Sequence, residues 1–250
     1  MTDRLVFAYS GASEAWAAIA QAASVHAADI VTLTLDLGQG AGLEDIRDRA
    51  LAAGAVRAHV LDAREEFARD YVLPALQTNA LQDDPMGLAL AAQLVSRKLE
   101  EIAAIEKGTP VTDSVVVHDT LLGRRGAAYT LTKAPSGAPK TPAHVEIAFE
   151  RGVPVAVNGV PMALTELIES LSIIAGHHGV GRIAINGTCA EAPAAVVLVA
   201  AYTALASTRR SAAPTGAVRM RLLEGGHSVT HVDPGSPIPD LGSRLTVAPP

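Results

Sequence analysis

The sequence contains very little cysteine and few aromatic residues, and none of its hydrophobic runs is long. Cys189 is the only cysteine among the 250 residues, which excludes an intramolecular disulfide and a multi-cysteine zinc site. The longest apolar run, around residues 192–205, is too short to span a bilayer. No signal segment with a charged part and then an apolar part opens the sequence. We therefore expect a cytoplasmic protein with no membrane partner.

Basic stripes with interleaved aromatic residues, which mark many nucleic-acid-binding proteins, are also missing. We therefore expect no nucleic-acid partner. What the chain does contain is aliphatic: hydrophobic residues make up 49% of it, while aromatic residues make up only 3%. A core built from Ala, Val, Leu and Ile is typical of a parallel sheet that is covered by helices.

The first unit of the chain reads as a strand, a loop, a helix and a second strand. Residues 5–13 and 30–40 are short apolar runs that end in small and polar residues, and the alanine-rich residues 14–28 between them are compatible with a helix. Ser10 and Gly11 follow the first strand at the start of that helix, where free backbone N–H groups and the helix dipole favour an anion.

Alternation of strands and helices continues as far as residue 119. Helices are predicted over residues 43–53, with Leu43, Ile46, Ala50 and Leu51 on the buried face, over 62–79 with an interruption at Pro74, and over 88–105. Strands are predicted over 55–61 and 111–117. This order predicts a doubly wound α/β domain over residues 1–119, with its ligand beyond the carboxyl ends of the strands.

The composition changes after residue 119. Residues 120–144 are rich in Pro, Gly, Thr and basic side chains with little periodicity, and we interpret them as a linker. A second, α+β domain is predicted over 145–232. Its strands are expected at 145–149, 153–157, 183–185 and 218–222, with a hairpin turn at Asn158-Gly159. Its helices are expected at 165–175, capped by Thr165, and at 194–205. Residues 233–250 are expected to form a flexible tail.

Several landmarks resemble those of the argininosuccinate synthase family and occur in that family's order. They are Ala8-Tyr9-Ser10-Gly11, Asp36-Leu-Gly-Gln39, Arg64 to Tyr71, Asn79-Ala-Leu81, Phe149 to Val155, Asn158-Gly159, Gly179-Val-Gly-Arg-Ile183, Glu191-Ala-Pro193 and Gly216-Ala-Val-Arg219. They cover roughly two-thirds of the chain.

The resemblance implies a fold and a reaction. The fold is α/β, with an adenine nucleotide α-hydrolase-like (HUP-like) parallel sheet first and a smaller synthetase-type α+β domain second. The reaction joins citrulline to aspartate: the ureido oxygen attacks the α-phosphate of ATP, pyrophosphate leaves, and the aspartate amine displaces AMP. The resemblance places the ATP site at Ala8, Tyr9, Ser10, Gly11, Asp36 and Gln39. It places substrate contacts at Asn79 and Glu191, and it implies a possible homo-oligomer.

The chain departs from the family pattern at every ligand site. Where the family has Ser-Gly-Gly-Leu-Asp-Thr-Ser, residues 10–16 read Ser-Gly-Ala-Ser-Glu-Ala-Trp, so two hydroxyls that would bind phosphate are replaced. The Arg-Pro pair of the family becomes Ala92-Gln93, and the tyrosine before Glu191 becomes Ala190. A polar segment of roughly a hundred residues is reduced to residues 126–144. No catalytic residue and no metal ligand can therefore be assigned.

Two functional hypotheses follow from these departures. The first is an argininosuccinate synthase-like protein that is catalytically impaired and keeps the scaffold as a binding, regulatory or relict homologue. The second is an active ATP-dependent ligase that makes argininosuccinate or adenylates a related acceptor. ATP and magnesium are expected as cofactors only under the second hypothesis.

A few polar residues outside these motifs admit a local explanation. Asp83-Asp84 suggests a magnesium pair, but adjacent carboxylates ahead of a helix more often interact with its dipole. His118 has no partner that can be named from the sequence. The side chains of the adjacent His177 and His178 are expected to point apart. No general base for the Cys189 thiol can be identified from the spacing of residues in the sequence. We assign no metal or nucleophile to any of them.

Overall fold

The computed structural model describes residues 3–10, 28–40, 42–185, 188–209 and 213–235, together with the single residues 17, 19 and 21. Of residues 184, 185 and 209 it describes the backbone but not the side chain. The chain divides into two compact units. The first comprises Met1–Tyr71 with Gly87–Leu121, and the second comprises Val72–Met86 with Leu122–Pro250.

The first unit is built on a four-stranded parallel sheet. Its strands are β1 (Arg4–Ala8), β2 (Asp29–Asp36), β3 (Arg57–Asp62) and β4 (Thr109–Val111), in the order β3-β2-β1-β4. Six consecutive residues of β2 are buried, as expected for a central strand that is covered on both faces. The predicted α/β class with a parallel first sheet is confirmed. A two-residue strand, β5 (Asp119–Thr120), ends the unit.

Helices follow these strands much as the hydrophobic spacing predicts. Helix α1 (Leu43–Ala52) buries Ile46 and Ala50, although Leu51, predicted to be on the same face, is 43% exposed. Helix α2 (Arg64–Phe67) continues into a π-helical turn (Ala68–Val72) and then α3 (Leu73–Gln77), which lies in the second unit. Helix α4 (Leu88–Glu106) buries seven of its side chains.

The prediction of a strand over residues 111–117 is wrong. The strand β4 ends at Val111, and residues 112–114 form a 3-10 turn. Ser114 explains the change of direction, because its hydroxyl donates to the Val111 carbonyl (2.6 Å) and accepts the N–H of Ala8 (2.9 Å). A side chain thereby takes the place of the next sheet hydrogen bond beside β1.

The second unit contains a five-stranded antiparallel sheet. Its strands are β7 (Ala143–Glu150), β8 (Val153–Val157), β9 (Val160–Pro161), β12 (Gly216–Leu223) and β13 (Gly226–Pro234), in the order β13-β12-β7-β8-β9. Asn158 and Gly159 both have positive φ, of 51° and 77°, which is the backbone of the predicted type I′ hairpin turn. Strand β13 was not predicted, and residues 233 and 234 belong to it. Residues 236–250 of the predicted tail lie outside the described residues.

A smaller antiparallel arrangement joins β6 (Gly123–Gly126), β10 (Arg182–Ile185) and β11 (Thr188–Glu191) in the order β10-β11-β6. Helices α5 (Leu164–His177) and α6 (Pro193–Arg209) complete the second unit. Thr165, predicted as the cap of α5, lies inside the helix. The helix begins after Ala163, whose N–H donates to the carboxylate of Glu166 (3.2 Å).

The segment 120–144, interpreted as a linker from its composition, carries ordered structure. It contains β6, and residues 122–144 belong to the second unit. Proline and glycine are frequent in this segment because it forms a strand and short turns rather than a helix.

A buried carboxylate joins several elements at the amino ends of the first sheet. The Glu106 side chain, only 2% exposed, accepts hydrogen bonds from Arg57 (2.7 Å) and His59 (2.8 Å) at Oε1 and from Arg4 (2.9 Å) at Oε2. Burial by itself raises the pKa of Glu106, but the hydrogen bonds from His59 and Arg57 outweigh it and lower the pKa below its ordinary value. The carboxylate therefore ties the end of α4 to strands β1 and β3.

We expect the substitution Glu106→Gln to lower the free energy of unfolding by about 2–4 kcal/mol, because it leaves two guanidinium groups facing a neutral amide. Urea unfolding followed by circular dichroism measures the change. Glu101→Gln on the same helix is the control: Glu101 is 46% exposed and pairs with Arg97 and Lys98, so its loss should cost less than about 1 kcal/mol. Equal losses in the two variants would contradict a structural role for Glu106.

Candidate functional site

A cavity of about 300 Å³ opens in the first unit at the carboxyl ends of β1 and β2. This is the position where parallel α/β sheets bind ligands. Its lining combines aliphatic residues with almost as many residues that carry a polar group: Ala8, Tyr9, Ser10, Leu33, Thr34, Leu35, Leu37, Gln39, Val95, Val116, Val117, His118 and Asp119. A cavity of this size and composition suits a small organic molecule that buries an apolar or flat surface.

Hydrogen bonds between the two central strands fix the floor of the cavity. The N–H of Tyr9 donates to Leu33 (2.8 Å), and the hydroxyl of Thr34 donates to the Tyr9 carbonyl (2.7 Å). The Tyr9 ring packs in the hydrophobic core with Ile46 and Ala50. Burial raises the pKa of its phenol, and the described residues supply no hydrogen-bond partner for the hydroxyl.

The turn after β2 forms one rim of the cavity and is closed by its own side chains. Gln39 accepts the N–H of Leu37 (2.7 Å) and donates to the Leu35 carbonyl (2.7 Å), while Asp36 accepts the N–H of Gly38 (2.9 Å). Gly38 has a φ of +94°, and a Cβ there would lie 2.6 Å from the Cβ of Leu121. The turn thus needs glycine at this position and uses the amide of Gln39 internally.

Glu191 in the second unit is completely buried. Its carboxylate accepts the backbone N–H groups of Thr130 (2.7 Å), Leu131 (3.0 Å) and Thr132 (2.8 Å) and the hydroxyl of Thr132 (2.6 Å). Burial by itself raises the pKa of this carboxyl, but these hydrogen bonds together lower it below its ordinary value. Every strong acceptor position of the side chain is therefore used inside the second unit.

Comparison with known proteins gives two family matches that cover most of the chain. Residues 4–117 match the arginosuccinate synthase N-terminal HUP domain, and residues 115–212 match the arginosuccinate synthase C-terminal domain. The chain belongs to the argininosuccinate synthase family.

Individual argininosuccinate synthases show how far the similarity extends. The protein of that name from Streptococcus suis (strain 05ZYH33) is 33% identical over 253 residues, covering 72% of this chain and 63% of the relative. The one from Dictyoglomus thermophilum is 29% identical over 281 residues, covering 81% of this chain and 71% of the relative. The chain thus matches less than two-thirds of the length of the Streptococcus suis relative.

The structure brings together four of the six residues that the family resemblance assigns to the ATP site. Ala8, Tyr9, Ser10 and Gln39 line the cavity. Asp36 lies at the end of β2 beside it, where its carboxylate also contacts the Arg64 guanidinium (3.4 Å). Gly11, with the rest of the loop to Trp16, lies outside the described residues.

The two residues assigned to substrate binding lie in the other unit. Asn79 is exposed and has a positive φ of 65°, at the point where α3 leads into a 3-10 turn. Glu191 offers no surface to a ligand. Neither residue lines the cavity of the first unit.

Sequence reasoning did not identify the wall of the cavity formed by Val95 of α4 and by Val116 and Val117. Residues 115–118 belong to no strand or helix, although their hydrophobic residues led us to predict a strand. His118, for which the sequence offered no partner, is exposed and lines the cavity.

The described residues fit a triphosphate with magnesium poorly. Neither Lys nor Arg lines the cavity in the described part of the chain, whereas Asp119 contributes a carboxylate. The same residues contain no group of three or more His, Cys, Asp or Glu side chains placed to hold a metal ion.

Among the helices described here, none is long and apolar enough to cross a membrane.

The lowered pKa of Glu191 predicts how the stability of the protein responds to acid. A carboxyl whose pKa is lower in the folded state contributes stability above its unfolded pKa of about 4.3, and this contribution is lost as the pH falls through the folded pKa. The difference in unfolding free energy between the wild type and Glu191→Gln should therefore be largest above about pH 5 and shrink below about pH 4.

Urea titrations from pH 7 to pH 3 measure this difference. Glu150→Gln is the matched control, since Glu150 is exposed at the end of β7 and its substitution should cost little stability. A wild-type minus Glu191→Gln difference that stays constant over the whole pH range would contradict an ionised, hydrogen-bonded Glu191.

Proposed function

We propose that this chain is a non-catalytic member of the argininosuccinate synthase family that binds a nucleoside-sized ligand without activating it. The observation that carries this proposal is that Asp36, Gln39 and Glu191, three of the side chains expected to serve ATP and substrate, form their hydrogen bonds within the protein. The cavity at the carboxyl ends of β1 and β2 remains, but no Lys or Arg lines it among the residues that the structure describes.

The hydrogen bonds of Asp36 and Gln39 support the proposal that the chain is non-catalytic. Both side chains hydrogen-bond to backbone groups of residues 35–38, so they shape the rim of the cavity and leave little capacity to bind phosphate. A ligand that formed hydrogen bonds with the Gln39 amide would displace its bonds to the turn. One backbone N–H and one carbonyl would then lack partners, at a free-energy cost of about 1–3 kcal/mol for each buried group.

The charged residues of the cavity lining support the proposal that the ligand is a nucleoside and not a triphosphate. Pyrophosphate departure requires cations or preorganised donors around the phosphates. The described lining of the cavity holds a carboxylate but no Lys or Arg, and residues 10–16 have lost two hydroxyls of the family loop. A neutral nucleoside avoids the repulsion that a triphosphate would meet there.

The rival hypothesis is an active ligase that uses ATP and magnesium to join citrulline and aspartate, and the relatives of this chain are named argininosuccinate synthases. Membership of the family and the retained cavity favour it. The internal use of Glu191 and the short segment 126–144 count against it, because a substrate with two charged ends needs several polar partners to be held for attack.

We expect no pyrophosphate above the protein-free blank when the chain is incubated with Mg·ATP, citrulline and aspartate. A coupled pyrophosphate assay measures this, with the Streptococcus suis argininosuccinate synthase as the positive control. Release of pyrophosphate that depends on both amino acids would establish the ligase activity and overturn the non-catalytic proposal.

Binding in the cavity is tested with a side chain that fills it. Val95→Trp should weaken adenosine binding at least about tenfold in isothermal titration, because Val95 lines the cavity from α4. Ile105→Trp on the same helix is the control, since Ile105 is 70% exposed and lies far along the helix.

The wild type should also bind adenosine more tightly than Mg·ATP, because the described lining offers the phosphates no cation. Micromolar affinity for Mg·ATP that exceeds the affinity for adenosine would contradict this part of the proposal. Circular dichroism of both tryptophan variants shows whether each remains folded.

A further inference from the structure

Three consecutive backbone N–H groups in the second unit converge on one anion. Those of Thr130, Leu131 and Thr132 lie 2.7–3.1 Å from the carboxylate oxygens of Glu191. Successive N–H groups that point at one centre form the arrangement known as a nest, which binds phosphates and other anions in many proteins. Here the nest is filled by a side chain of the same chain.

The surroundings of the nest are positively charged and hold it in shape. Arg182 donates to the hydroxyl (2.9 Å) and the carbonyl (2.7 Å) of Thr132, and its guanidinium lies 4.1 Å from the centre of the Tyr129 ring. Arg124 donates to the hydroxyl of Thr130 (2.7 Å). These contacts orient residues 130–132 independently of Glu191, so the donors are preorganised.

The nest also lies close to solvent. Thr130 and Leu131 are exposed, with Leu131 at 42%, although the Glu191 side chain beneath them is completely buried. A small molecule would therefore need to pass only a short surface segment to reach the carboxylate position.

We infer that residues 130–132 form an anion-binding site whose resident ligand is the Glu191 carboxylate, and that a small free carboxylate occupies it when that side chain is removed. Glu191→Ala deletes a methylene carbon, a carboxyl carbon and two oxygens. Acetate supplies the same atoms, with a methyl group for the methylene. Without an anion, several N–H groups would stay buried and unpaired, which is the driving force for acetate binding.

The inference is tested by thermal unfolding of Glu191→Ala at neutral pH in rising sodium acetate, against sodium chloride at equal ionic strength. The melting temperature of Glu191→Ala should be lower than that of the wild type. It should rise with acetate in a saturable manner by about 3 °C or more beyond the effect of chloride. Acetate should have no such effect on the wild type, whose nest is filled, or on the exposed-site control Glu150→Ala.

A second variant and a second readout locate the effect. Glu191→Gln keeps the space filled, so it should not respond to acetate. In NMR spectra of Glu191→Ala, the amide signals of residues 130–132 should shift on addition of acetate more than those of the five-stranded sheet. If Glu191→Ala is unfolded without acetate, recovery of the native circular dichroism on adding acetate supports the inference.

Three outcomes overturn it. The first is a melting temperature of folded Glu191→Ala that responds equally to acetate and chloride. The second is an unfolded Glu191→Ala that acetate does not restore. The third is a set of amide shifts spread evenly over the protein. The inference does not depend on the proposed function, because the anion site and the cavity lie in different units.

Discussion

The buried carboxylate of Glu191 connects three separate parts of the second unit. It belongs to β11, its hydrogen bonds reach residues 130–132 in the connection after β6, and the same residues contact Arg182 of β10. A charged group without exposed surface is tolerated only when its hydrogen bonds replace those of water. The irregular segment 127–133 therefore has a defined conformation because a carboxylate supplies the acceptors that a neighbouring strand would otherwise provide.

The hydrogen bonds of Glu191 change how a residue that matches a family motif is interpreted. A glutamate that matches a family motif is readily assigned to the substrate, yet its position here is explained by the backbone it supports. Gln39 and Asp36 give the same lesson in the first unit, since their amide and carboxylate close the turn after β2. These hydrogen bonds give all three residues a structural role, which is a separate matter from any role in chemistry.

The sequence was sufficient for much of the fold because the relevant forces are local. The hydrophobic spacing predicted α1 and α4, and Asn158-Gly159 predicted the hairpin turn from its backbone preference. The predictions failed at positions where residues distant in the sequence determine the local structure. The end of β4 depends on the contact of Ser114 with Ala8, and β13, exposed along most of its length, has no hydrophobic alternation to reveal it.

The candidate site was predictable in part for the same reason. Its place at the carboxyl ends of β1 and β2 follows from the topology of a parallel sheet, and Ser10 and Gln39 follow from family motifs. The wall supplied by Val95 and Val116 could not be found, because it depends on how α4 and a segment outside any strand or helix pack on the sheet. The internal partners of Glu191 lie about 60 residues away in the chain, beyond the reach of any local pattern.

Helix α4 carries two of the features described above at different points of its length. Val95 lines the cavity, and Glu106 is bound by basic residues of β1 and β3 at the opposite edge of the sheet. The two residues are eleven positions apart on the helix, a rise of about 16 Å. The residue that ties the end of α4 to β1 and β3 thus belongs to the same helix that forms a wall of the cavity, so the placement of that wall rests in part on an ion cluster at the far end of the strands.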